Sequence, residues 1–256
     1  MTILGKLISL YREAGFEPMT GYNPCHFDGW MAAPFTRFIY QGRVVGTAGM
    51  ALQEIMVLEG LAEHLAPKRI LIIGNAMGWS TIALGLIFPK AQILAIDPDV
   101  GGNELTNRLA QQAKLTIEAV RGFSPQDVQP LAAKHLKEPV DLVLIDAIHT
   151  PEAVAQDWRA VAPLVDDGTV WLFHDVIDWK LHAPFWELCA TQGLAGRILT
   201  RTASGMAAAW KDGESRKGLA DYLSIFSDNP DLFRAFRQAA LASQGRSLDQ
   251  VFQSLK

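Results

Sequence analysis

ILIIGNAMGWSTIALG, residues 70–85, decides the fold. Ile70 to Ile73 form an unbroken apolar run that stops at Gly74, and a helical pattern opens at Gly78. A short apolar, β-branched run bounded by glycine suits a strand buried on both faces, and glycines let the backbone turn sharply and admit a ligand to main-chain N–H groups. The segment therefore reads as strand, tight turn, helix.

Four more runs have a related shape: AQILAIDPD (91–99), VDLVLIDA (140–147), GTVWLFHD (168–175) and the weaker KLTIEAV (114–120). Between them lie segments 78–88, 104–113, 125–136 and 151–164, each long enough for a crossover helix. Strand–helix alternation on this scale predicts a doubly wound, mostly parallel α/β sheet with helices on both faces. GRILTRTASGMAAAWK (196–211) breaks the rule, because its two short strands flank Ala203-Ser204-Gly205 with no room for a helix. That is a β-hairpin, so the last of seven strands enters the sheet reversed. Residues before Gly46, with Trp30, Phe35, Phe38 and Tyr40 among Pro and Gly, read as an irregular covering segment. DNPDLFRAFRQAAL (228–241) supplies a helix start before an apolar period.

Composition narrows the function. Twenty-three Lys+Arg against 27 Asp+Glu give a net charge of −4, which removes the general attraction to phosphate and excludes nucleic acid as the expected partner. Cys25 and Cys189, the two cysteines, are far apart and without CxxC spacing, which excludes a disulfide scaffold and fits a reducing compartment. Lys6, Arg12 and Glu13 interrupt the N-terminal apolar pattern, so neither a signal peptide nor a membrane span is expected there, and the expected location is cytoplasmic.

The turn after the first strand is GxxxG; Ala76 and Trp79 stand where a dinucleotide fingerprint has its second and third glycines, and a Walker lysine is absent. Asp97 ends the next strand, where a carboxylate accepts hydrogen bonds from ribose hydroxyls, or else caps the Asp-Pro-Asp turn. Gly74, Gly78 and Asp97 together point to a nucleoside without a pyrophosphate.

These segments resemble the class I S-adenosylmethionine-dependent methyltransferases: IIGNAMGWST (72–81) is similar to the first motif, AIDPD (95–99) to the second, and the reversed last strand to the family topology. VDLVLIDAIHTPEAV followed by DDGTVWLFHDV resembles the catechol-type and macrocin-type O-methyltransferases. The resemblance spans residues 47–211 and implies three parts: a covering segment 1–46, an S-adenosylmethionine-binding domain 47–211 and a C-terminal helical extension 212–256. It implies that Gly74, Asn75, Ala76, Gly78, Trp79 and Ser80 border the methionine moiety, that Asp97 takes the ribose, and that Gly122, Phe123 and Ser124 border the adenine, with Asp146 also at the cofactor. Two positions depart from the pattern. Ile72 stands where the family carries an acid, and Phe123 where the branch often carries another.

Asp146, His149, His174 and Asp175 follow consecutive strands of the alternation, so they converge at the carboxyl edge of the sheet, where open α/β folds bind ligands. The resemblance places Asp146, His174 and Asp175 at the metal ligands of metal-dependent members and His149 at a catalytic lysine. Asp146, His149 and His174 are thus the catalytic candidates, and Asp146, His174 and Asp175 the candidates for a divalent metal ion. An imidazole ligand favours manganese, iron or zinc over magnesium, and a metal-free acid–base pair is the alternative. Either aspartate is also a plain helix cap in the simplest reading. The expected function is S-adenosylmethionine-dependent O-methylation of a small-molecule hydroxyl, with a homodimer as the expected assembly. Its alternatives are a non-catalytic binding module on the same fold and a nicotinamide-dependent oxidoreductase.

Overall fold

The computed structural model describes residues 2–136 and 139–242. Residues 243–256, the end of the expected C-terminal extension, lie outside them.

The central sheet is built from β4 (Arg69–Ile73), β5 (Gln92–Asp97), β6 (Ile117–Arg121), β7 (Val140–Ile145), β8 (Val165–Phe173), β9 (Ala195–Ile198) and β10 (Ala207–Trp210). Its order is β6-β5-β4-β7-β8-β10-β9. The first five strands pair in parallel, and β10 runs antiparallel to both β8 and β9. The reversed last strand is therefore present, inserted between β8 and β9 rather than added at the edge. The connection is wider than a three-residue turn: residues 199–206 separate the two strands.

Strand alternation explains why these runs are apolar throughout. Ile70 and Ile72 of β4 point into one core layer, while Leu71 and Ile73 point into the other. The same division holds for Leu142 and Leu144 against Val143 and Ile145 on β7. Each strand face is covered by helices, so no position in the run can be polar without burying an unpaired group. One layer holds α3 (Trp79–Ile87) and α4 (Val100–Ala113); the other holds α5 (Val128–His135), α6 (Pro151–Val161) and α7 (His182–Gln192). The sequence reading lacks α7, whose Pro184 falls in the first turn, where proline costs the helix no hydrogen bond.

The N-terminal cover is not irregular. It forms α1 (Ile3–Glu13), a three-stranded antiparallel sheet of β1 (Phe16–Met19), β2 (Thr36–Tyr40) and β3 (Arg43–Gly49), and α2 (Leu52–Gly60). Leu7, Tyr11 and Phe38 are fully buried and share a core with Trp79. Tyr11 donates a 2.6 Å hydrogen bond to the Met77 carbonyl, tying α1 to the turn that precedes α3. The apolar period of α1 and the alternation Thr36/Phe38 against Arg37/Ile39 were the local signals, masked by the glycines and prolines between them. At the other end, α8 (Lys217–Ser224) lies on α2, with the Tyr222 hydroxyl donating 2.8 Å to the Val57 carbonyl. Among the described residues no helix is long and apolar enough to cross a membrane.

Candidate active site

A cavity of about 360 Å³ opens along the carboxyl edge of β4, β5, β6 and β7. Gly74 ends β4 at φ +94°, and a Cβ there would lie 1.9 Å from the Asp146 carbonyl oxygen. Gly78, at φ +78°, would place one 2.0 Å from the Thr106 hydroxyl. Both positions require glycine for conformation and for space.

Asn75 keeps the turn rigid. Its amide donates to Asn103 at 3.1 Å and Thr106 at 2.9 Å, and its carbonyl accepts from Thr81 at 2.8 Å. The side chain thus faces the protein, and what it offers the cavity is backbone. Asp97 is also engaged: one carboxylate oxygen accepts from the backbone N–H of Asn75 (2.7 Å) and Ala76 (2.9 Å), the other from Asp99 (2.7 Å). A carboxylate has about four acceptor positions, so one remains for a ligand hydroxyl. Asp97 is both a brace for the turn and a wall of the cavity.

Ala76, Ser80, Phe123, Ser124 and Asp146 line the cavity as the sequence suggests, whereas Gly78 shapes it from behind. Trp79 reaches the wall, but its ring is buried, edge-on to Tyr11 (5.2 Å) and Phe38 (5.8 Å), so packing accounts for most of it. Ile72 is buried in the core and Ile73 takes the cavity wall. An acid at position 72 would face apolar side chains in this core.

At the β7–β8 end the four polar residues do converge, with a fifth that sequence reasoning missed. His174 Nε2 lies 2.9 Å from Glu54 of α2, and its Nδ1 lies 3.1 Å from Asp146 and 3.4 Å from Asp175. His149 Nε2 sits 3.1 Å from Asp175 and 3.5 Å from Asp146. Glu54 is fully buried and takes further hydrogen bonds from the Ala51 N–H, the Ser204 N–H and the Ser204 hydroxyl. Its one sequence signal is an acid near the start of the mostly apolar run ALQEIMVLEGL, which carries a second acid at Glu59.

Charge pairing dominates the electrostatics. Burial alone would lower the His174 imidazole, but Asp146 and Glu54 outweigh it and raise it well above its ordinary value. Burial would likewise raise the Asp146 and Glu54 carboxyls, and the histidines hold both down, Asp146 well below the usual carboxylate range. His149 is raised by Asp146 and Asp175 against its own burial. His174 is thus buried between carboxylates that favour its charged form, and it does not line the cavity; His149 does.

This changes the expected metal set. Asp146, His149 and Asp175 bring donor atoms within 4.8 Å of one another, with His149 in place of His174. His174 faces Glu54 with Nε2 and the two aspartates with Nδ1. His149 Nε2 is buried near the Asp146 and Asp175 carboxylates without an aligned hydrogen bond, and so is His174 Nδ1. Phe35 stands edge-on to His174 (6.2 Å), and Trp179 lies against His149 (5.4 Å).

Asp157 was also missed. It is 4% exposed on α6, lines the cavity, and accepts a hydrogen bond from the Ser124 hydroxyl.

Residues 71–176 match a family model described as a methyltransferase domain. No curated protein matches the chain. Among solved structures, the O-methyltransferase from Bacillus cereus in complex with S-adenosylhomocysteine is similar at 20% identity, covering 62% of this chain and 80% of that one, with a TM-score of 0.52. The O-methyltransferase of tomaymycin synthesis from Streptomyces achromogenes, in complex with S-adenosylmethionine, gives 18% identity, 83% and 91% coverage and a TM-score of 0.55. An S-adenosylhomocysteine-bound methyltransferase from Podospora anserina gives 18%, 63% and 79%, and 0.52.

Proposed function

We propose that this chain, built on a methyltransferase domain of the class I fold, is an S-adenosylmethionine-dependent methyltransferase acting on the hydroxyl oxygen of a small molecule. One observation carries the reading: a single cavity joins the glycine turn and Asp97 to the Asp146–His149 cluster. The cradle that a Cβ at Gly74 would fill suits a ligand pressed against backbone, and Asp97 has one acceptor position left for a ribose.

S-adenosylmethionine supplies a methyl group already activated on a sulfonium, so the protein's work is alignment and handling of one proton. Residues 74–80 hold the amino-acid end by backbone, and Asp97 orients the ribose. His149 lines the cavity and takes the proton from the acceptor hydroxyl as the oxygen attacks in line. Asp175, 3.1 Å from Nε2, and Asp146 steady the imidazole and the charge it acquires. The charged form of His174 is favoured between Glu54 and Asp146, and it helps hold the Asp146 carboxyl in its ionised form. Trp179 lies against His149, the one of the two histidines that lines the cavity, which fits a compact, partly apolar acceptor. The net charge of −4 favours such an acceptor over nucleic acid. The expected cover boundary at 46 falls inside β3 (Arg43–Gly49), so we take the cover as running through α2 to Gly60, with the cofactor domain following to 211 and the extension at 212–256.

A second reading is favoured by the convergence of Asp146, His149 and Asp175. These residues would hold a divalent cation, and two carboxylates with one imidazole suit manganese, iron or zinc better than magnesium. Such an ion would acidify the acceptor hydroxyl.

Calorimetric titration with S-adenosylmethionine, S-adenosylhomocysteine and NAD, with and without added manganese, tests the function. Saturable binding of the two sulfur nucleosides and not NAD is expected. Binding of NAD alone would replace this reading with the oxidoreductase, and binding of none with a non-catalytic module.

A further inference from the structure

We propose that Asp157 is the residue by which this chain selects adenine: its carboxylate, steadied by Ser124, accepts a hydrogen bond from the exocyclic amine of the cofactor base. The inference rests on the proposed use of S-adenosylmethionine and concerns a residue outside every motif described above.

The order of the strands places the base. Moving along the carboxyl edge from β8 to β6, the chain presents Asp175, Asp146, Gly74, Asp97 and then Gly122 to Ser124. Adjacent strands are about 4.8 Å apart, so Ser124 lies roughly three strand spacings from the Asp146–His149 cluster. A nucleoside with its reacting end at His149 and its ribose at Asp97 has its base directed toward β6. The surroundings there suit a flat ring. Phe123, next to Ser124, is a 50% exposed apolar residue and lines the cavity.

The polar requirement of that ring falls to Asp157. Helix α6 turns Ala153, Gln156 and Asp157 toward the cavity at helical spacing, and Asp157 is the buried one of the three. Among the described residues its carboxylate has one hydrogen-bond partner, the Ser124 hydroxyl. A buried carboxylate with about four acceptor positions and one partner retains unused capacity for a donor. Burial pushes its pKa up to about 6, with the Ser124 hydroxyl opposing, so at neutral pH the group is largely an acceptor. An acceptor at this place attracts an amine and repels a carbonyl, which is the difference between adenine and its 6-oxo analogue.

The competing account makes Asp157 a brace that merely holds the Gly122–Ser124 turn against α6. The two accounts separate on ligand preference. Calorimetry on the full chain compares S-adenosylhomocysteine with S-inosylhomocysteine, which carries a carbonyl in place of the amine. Wild type is expected to prefer the adenosyl ligand by about 10- to 100-fold, the worth of a hydrogen bond to a charged group. Asp157→Asn, whose amide offers both a donor and an acceptor, is expected to reduce the preference to within about threefold. Ser124→Ala removes the brace and keeps the carboxylate, so the preference survives even where overall affinity falls. A wild type that binds both ligands equally overturns the proposal, as does an Asp157→Asn protein that weakens both by the same factor. Should Asp157→Asn not fold, loss of the preference in Ser124→Ala overturns it equally. Binding of neither ligand to wild type would instead overturn the proposed cofactor, and the assignment of Asp157 with it.

Discussion

Glu54 and His174 stand 120 residues apart in sequence and meet at 2.9 Å, in a buried pair that joins the N-terminal cover to the end of β8. The contact makes α2 part of the active-site floor, because His174 in turn faces Asp146 and Asp175. Truncating one member of a buried ion pair leaves the other charge uncompensated, at a cost of about 3–5 kcal/mol. Glu54→Ala should therefore lose about that much stability in urea unfolding, and methyl transfer with it. A loss below about 1 kcal/mol would mean that the pair does not hold the cover in place.

Asp97 has two tasks, and one substitution exposes both. Asp97→Ala removes the acceptor for the Asn75 and Ala76 amides along with the proposed ribose contact. Affinity for S-adenosylhomocysteine should fall about tenfold or more, and Tm should fall as well. Unchanged affinity with a lowered Tm would leave Asp97 with the brace alone.

His149→Ala should lower kcat by about 10² to 10⁴ while cofactor affinity changes little, as befits a base acting on the acceptor. Activity of the wild type should persist in excess chelator. Abolition by chelator and restoration by manganese would transfer the role of His149 from proton acceptor to metal ligand.

The pH dependence of stability carries a signature of Asp157. Its carboxyl is raised to about 6 by burial, above the value of about 4 in an unfolded chain. The folded state therefore holds the proton more tightly, and this contribution is full below pH 4 and lost as pH rises through 6. Two units correspond to roughly 3 kcal/mol at most. Asp157→Asn should accordingly be more stable than wild type at pH 7.5, and the difference should shrink or vanish near pH 4. A difference that does not change with pH would mean that Asp157 titrates normally.

The parts of this fold that were legible were those whose cause is local. The run Ile70–Ile73 is apolar because both faces of β4 are covered, so the five parallel strands announce themselves and the hairpin announces the reversal. Helices α1, α2 and α7 were not placed from the sequence: α2 and α7 carry only a weak apolar period, and the clear period of α1 runs into the Pro- and Gly-containing stretch that follows it. At the site, Asp97, Asp146, His149, His174 and Asp175 follow strand ends and could be placed by topology. Glu54 and Asp157 could not, because each sits inside a helix whose position on the sheet no local pattern records.

Sequence alone determined the doubly wound sheet, the glycine turn and the convergence of polar residues at one edge. Side-chain period and turn chemistry act over a few residues and need no partner to be read. Only the tertiary structure decided the division of labour within that edge. Glu54 pairs with Nε2 of the buried His174, while His149 faces the cavity beside Asp146 and Asp175. The role of an imidazole follows from which carboxylates surround it, and those came from helices and strands far apart in the chain.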